Sequence, residues 1–62
     1  GRSLPRMTII VYWKSGATEE FVGVTYFNVS DGEVQITVND DAGGVSWILN
    51  FAEILKIKKV TA

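Results

Sequence analysis

The side chains that could do chemistry in this 62-residue chain are seven carboxylates, four lysines, two arginines and two tyrosines; histidine and cysteine do not occur. Without histidine the commonest general base is missing, and without cysteine the thiol nucleophile is missing. A disulfide is impossible, and so is a zinc site built from thiolates and imidazoles. The carboxylates are Glu19, Glu20, Asp31, Glu33, Asp40, Asp41 and Glu53. Most fall at turns or on the polar side of extended runs, where a carboxylate is ordinarily a solvated surface charge. Asn39-Asp40-Asp41 could hold a divalent cation loosely, but it lacks the spaced oxygen ligands and closing glutamate of a calcium loop. Gly43-Gly44 is followed by no Lys-Ser/Thr pair and is not a phosphate loop. Asn28-Val29-Ser30 matches the short glycosylation sequon. These residue types point away from an enzyme and away from a bound cofactor.

Binding chemistry remains. Lys56, Lys58 and Lys59 form the one basic cluster. On a last strand, lysines discourage strand addition; the other reading is a small anionic contact, such as phosphate. Tyr12 and Tyr26 fall opposite the inward sets of their runs. With Ile10, Val22 and Ile48 they exceed what one small core can enclose. Such a surplus marks an interface with another protein or with a second copy in a symmetric dimer. The alternative is a small nucleic-acid-binding barrel that stacks bases on Tyr12 and Tyr26, with Lys14 and the Lys56, Lys58 and Lys59 cluster on phosphates.

The elements that must position these groups are five short apolar runs, at residues 7–14, 19–29, 33–39, 45–51 and 54–60. Gly- and Asp-bearing breaks separate them: Ser15-Gly16-Ala17, Ser30-Asp31-Gly32 and the polar tip of residues 40–44. Runs this short and regular specify an all-β domain. The first run is apolar on both faces, as befits an interior strand. In the second, Phe21 and Val24 cannot share a face at period two, so a bulge or bend near Gly23 is expected. Asp31-Gly32 is a strong hairpin signal. The third run alternates cleanly, with Val34, Ile36 and Val38 on one side. The joint before the last run suits one 3₁₀ turn. This order predicts a five-stranded antiparallel meander, curled into an SH3-like or Sm-like small barrel or a bent sheet. The expected core is Ile9, Val11, Trp13, Phe21, Val24, Phe27, Val34, Ile36, Val38, Trp47, Leu49, Leu55 and Ile57, and the aromatic ring of Phe51 is expected to join it. A helix over residues 47–59 is the rival reading, because their apolar positions partly satisfy a helical stripe.

A single domain of this size buries only about 60% of its unfolded surface. Lacking a disulfide or metal staple, it must rely on a dense core or on association. The composition suits both: 47% of residues are hydrophobic, including two Trp, two Tyr and three Phe. Residues 1–6 show no strand pattern and read as a vector-derived tail before a domain at 7–62. Setting aside Arg2 and Arg6 leaves four lysines against seven acids, a net charge of −3. That balance argues against general nucleic-acid binding. No apolar run approaches the ~18 residues of a membrane span, and no signal peptide follows Met7, so a cytoplasmic location is expected.

The chain opens on Thr8-Ile9-Ile10-Val11 and continues through Phe21, Val24-Thr25 and Phe27. After Ser30-Asp31-Gly32-Glu33-Val34 it closes on Trp47-Ile48-Leu49-Asn50-Phe51-Ala52-Glu53-Ile54-Leu55-Lys56-Ile57. In that pattern it resembles short uncharacterised β-meander proteins of Gram-positive bacteria, their phages and mobile elements. The resemblance implies a compact cytoplasmic accessory protein and brings no catalytic or binding residue with it.

Overall fold

The computed structural model describes residues 6–40 and 43–61, the side chains of Asp40 and Thr61 excepted. Five strands follow one another: β1 (Met7–Trp13), β2 (Thr18–Ser30), β3 (Glu33–Asp40), β4 (Gly43–Asn50) and β5 (Ile54–Thr61). They form one antiparallel sheet in the order β4-β3-β2-β1-β5. Among the described residues the only helical element is the 3₁₀ turn Phe51–Glu53, so the helix considered over residues 47–59 does not form. Residues 1–5 of the expected tail, and 41–42 of the polar tip, lie outside the described residues.

The sheet is strongly bent but does not close. β4 and β5 are its two edges, four places apart in strand order. In a flat sheet that separation would be about 19 Å, at roughly 4.8 Å per strand. The chain between Asn50 and Ile54 is a 3₁₀ turn, which rises only about 2 Å per residue. The sheet must therefore curl to bring its edges within reach. The rings of Phe21 on β2 and Trp47 on β4 accordingly meet edge to face with centroids 5.2 Å apart, although β3 runs between their strands.

The curl is made in β2, which carries two irregularities. Opposite β1, the pairing steps from Met7–Val24 to Ile9–Phe21, so β2 spends three residues where β1 spends two. Gly23 sits in that step with φ of 77°, a left-handed conformation open to glycine at little cost. Opposite β3, Val24 pairs with Val38 and Tyr26 with Thr37, which leaves Thr25 as the extra residue. Its hydroxyl donates to the Thr37 carbonyl at 3.4 Å and accepts from Asn39 Nδ2 at 3.1 Å. The bend expected near Gly23 is thus present and is reinforced two residues on. The β2–β3 hairpin turns on Asp31 and Gly32, both at positive φ, the geometry of a type I′ turn.

The core cluster is Ile9, Val11, Phe21, Val24, Val34, Ile36 and Ile54, with Met7, Trp13, Phe27, Val38, Leu49 and Ile57 packed against it. Three residues expected in the core are placed differently. Phe51 is 47% exposed, because it lies in the 3₁₀ turn beyond the last β3–β4 pair, Glu33–Asn50, where no strand covers it. Leu55 is 67% exposed, and its neighbour Ile54 is buried in its stead. The cause is a shift between β1 and β5: Tyr12 pairs with Lys56 but Trp13 pairs with Ile54. Leu55 is the unpaired residue of that bulge, which throws the alternation of β5 out of step. Trp47 is 38% exposed, because β4 is an edge and leaves one flank of the indole uncovered.

The 3₁₀ turn is fastened at both ends. Phe51 donates its N–H to the Gly32 carbonyl at 2.9 Å, and Lys14 donates to the Glu53 carbonyl at 2.9 Å. Asn50 caps the turn, its Oδ1 accepting from the Ala52 N–H at 3.0 Å. Asn50→Ala is expected to lower stability by about 1 kcal/mol, as loss of a capping acceptor does. A denaturation midpoint unchanged from the parent chain would contradict that role.

Candidate interaction surfaces

Residues directly opposite each other in a sheet share a face. The pairings therefore lay out the convex, outward face as rows. Near the β1–β5 edge, Lys58, Ile10 and Glu20 form one row and Lys56, Tyr12 and Thr18 the next. Beyond the bend in β2, Tyr26, Thr37 and Ser46 form a row, and Asn28, Gln35 and Ile48 another. The five residues expected at an interface thus fall into two groups. Ile10, Tyr12 and Val22 belong to the β1–β2 half of the sheet, Tyr26 and Ile48 to the β2–β3–β4 half. Ile10 and Tyr12 are half-buried, whereas Val22 and Ile48 are each 64% exposed.

Tyr12 has a partner. The Lys56 ammonium lies 4.7 Å from the centre of its ring, a cation–π contact that follows from their cross-strand pairing. Tyr26 is remote from this pair: it lies eight residues along β2 from Thr18, the residue opposite Tyr12. The two tyrosines therefore do not form one stacking platform. Nor do the lysines act as one cluster. Lys58 stands opposite Ile10 on the outer face, while Lys59 stands opposite Ile9 and belongs to the core side at the rim. All three nevertheless lie on β5, an edge of the sheet.

The carboxylates whose side chains are described are dispersed. Glu19 accepts a hydrogen bond from Trp13 Nε1 at 2.8 Å and so fastens the turn end of the β1–β2 hairpin. Asp31 accepts from the Ser30 hydroxyl at 3.4 Å within its turn. Glu33 lines a shallow depression of about 70 Å³ with Asn28, Ser30, Gln35 and Ile48 on the outer face. Among the described residues no three acidic, histidine or cysteine side chains gather as a metal site would require. No helix among them is long and apolar enough to cross a membrane.

Residue types alone put Trp47 in the core and reached β4 only through Ile48. In the structure β4 is exposed along nearly its whole length, Leu49 alone being half-buried. The legible signal was negative: residues 43–50 hold no charge and no proline, while the last run holds three lysines. Comparison with protein-family models, with curated proteins and with solved structures finds no match for this chain.

Proposed function

We propose that this chain is a non-enzymatic protein-interaction module, an accessory factor of a phage or mobile element that binds a host protein in the cytoplasm. The observation that supports it is the amount of apolar side chain left in water by so small a domain. Val22, Tyr26, Val45, Ile48, Phe51 and Leu55 are all exposed. Each large side chain that moves from water into a contact contributes about 1.5–3 kcal/mol, so a protein partner has much to gain here. The dispersed carboxylates and the resemblance in pattern fit the same reading.

A second reading rests on one contact. Lys56 over Tyr12, with Lys58 on the same face, offers cations beside an aromatic ring, as nucleic-acid-binding barrels do. Salt separates the two readings, because phosphate contacts weaken steeply with salt and an apolar interface does not. The test is affinity capture from host lysate, with and without nuclease. A protein partner retained after nuclease and at about 0.5 M salt, where the Debye length is only a few Å, is the expected result. Recovery of nucleic acid alone, abolished in the Lys56→Glu/Lys58→Glu variant, would replace the first reading with the second.

A further inference from the structure

The two edges of this sheet are defended very differently. β5 carries Lys56, Lys58 and Lys59, and it is bulged at Leu55. Lysines and bulges are two of the devices by which sheet edges avoid pairing with other strands. β4 has neither. Its sequence, Gly43-Gly44-Val45-Ser46-Trp47-Ile48-Leu49-Asn50, holds no charge and no proline. Its register against β3 runs unbroken over eight pairs, from Glu33–Asn50 to Asp40–Gly43. A regular strand turns alternate N–H and C=O groups away from its neighbour, so β4 offers an ordered row of backbone donors and acceptors on its free side. Beside that row stand exposed apolar side chains on both faces: Val45 and Trp47 toward the core side, Ile48 on the outer side.

From this asymmetry we infer that β4 pairs antiparallel with β4 of a second copy, about a two-fold axis through the middle of the strand. The inference rests on the reading of the chain as a protein-interaction module and names the occupant of one of its surfaces. Charge selects that occupant. Joined to itself, β4 meets only uncharged residues. Joining β5 to itself would set lysine near lysine, and like charges across a strand pair destabilise it. Joining β4 to β5 of the next copy is heterologous and need not close, and it would meet the bulge and the lysines. The two-fold pairing closes at two copies. An axis perpendicular to the sheet also keeps the core-side faces of the two copies on one side. Val45 and Trp47 of one copy then lie beside Trp47 and Val45 of the other, and each indole gains cover on the flank that its own β4 edge leaves open.

Ser46 tests this pairing. It lies near the axis on the outer face, is exposed, and its hydroxyl shares a 2.9 Å hydrogen bond with that of Thr37. Light scattering on the parent chain at tens of micromolar is expected to give twice the 6.8 kDa chain mass. Ser46→Lys and Ser46→Glu should each halve that mass, with the β-sheet circular dichroism retained. Mixed in equal amounts, the two variants should restore it, because opposite charges then face each other across the axis. A parent chain that is monomeric at that concentration overturns the inference. So does a dimer that persists in both variants but is broken by Val22→Asp, which would move the interface to the outer face of β1 and β2. In either case, capture of a host protein as above would leave the interaction-module reading standing.

Discussion

Replacing Ile36 by alanine is expected to remove a large share of the chain's folding stability, whereas replacing Leu55 by alanine should change it hardly at all. Ile36 is fully buried in the middle of β3, opposite Phe27 on one side and Trp47 on the other. Truncating such a residue costs about 2–5 kcal/mol, the sum of lost transfer energy and an unfilled cavity. Natural domains hold roughly 0.05–0.15 kcal/mol of stability per residue, so a chain of this size has only about 3–9 kcal/mol in all. Leu55 is as large and as apolar, yet it stands outward on a bulge and is mostly in water. Surface changes of that kind stay within about 0.5 kcal/mol. Urea unfolding of the two variants beside the parent decides the matter. Equal losses would mean that Leu55 is a core residue and that the β1–β5 register is wrong.

The second large effect is expected at Gly23, where the handedness of the added side chain should matter more than its presence. A β-carbon at this position would find Val38 Cγ1 at 3.8 Å, an ordinary contact, so crowding is not the obstacle. The obstacle is φ of 77°, which costs an L-residue about 1–3 kcal/mol. A D-residue prefers that region. In chemically synthesised chains, L-alanine at position 23 should lower the melting temperature clearly. D-alanine should hold or raise it, since it also restricts the unfolded chain. If both enantiomers are tolerated alike, the bend does not depend on a left-handed residue there.

These three positions also mark how far the amino-acid order could be read. Gly23 was legible because Phe21, Val24 and Phe27 conflict with period two, and only an irregularity near the glycine reconciles them. Asp31-Gly32 was legible because both residues must take positive φ in a tight hairpin, which few residue pairs do readily. Ile36 was legible because its strand alternates without exception. Leu55 was not, because the choice between Ile54 and Leu55 depends on where a bulge falls against β1, and that is decided by pairing across the sheet. Trp47 was misjudged for a related reason: hydrophobicity reports what a side chain prefers, and strand order decides whether a neighbour exists to cover it. Individual outer-face residues were correctly assigned to a face. Their division into two groups was hidden, because the bend in β2 separates Tyr26 from Tyr12 and no local pattern records that distance.

The pairing of β1 with β5 has a consequence for the time course of folding. Met7 lies opposite Thr61 and Ile9 opposite Lys59, so the first strand completes its ladder with residues about fifty positions away. The hairpins β1–β2, β2–β3 and β3–β4 can each form from neighbouring sequence. The last pairing must close a loop of 41 positions, from Trp13 to Ile54, before the first of its contacts is gained, and that entropy is lost in advance. Topologies dominated by such distant contacts fold in milliseconds to seconds, far slower than helical bundles of the same length. During synthesis on the ribosome, β1 would wait with one edge bare until Ile54 and the residues after it emerge. The interval is one in which the apolar β1 strand is open to the wrong partner; once it ends, the bonds of the 3₁₀ turn to Gly32 and Lys14 hold the start of β5 beside the end of β1.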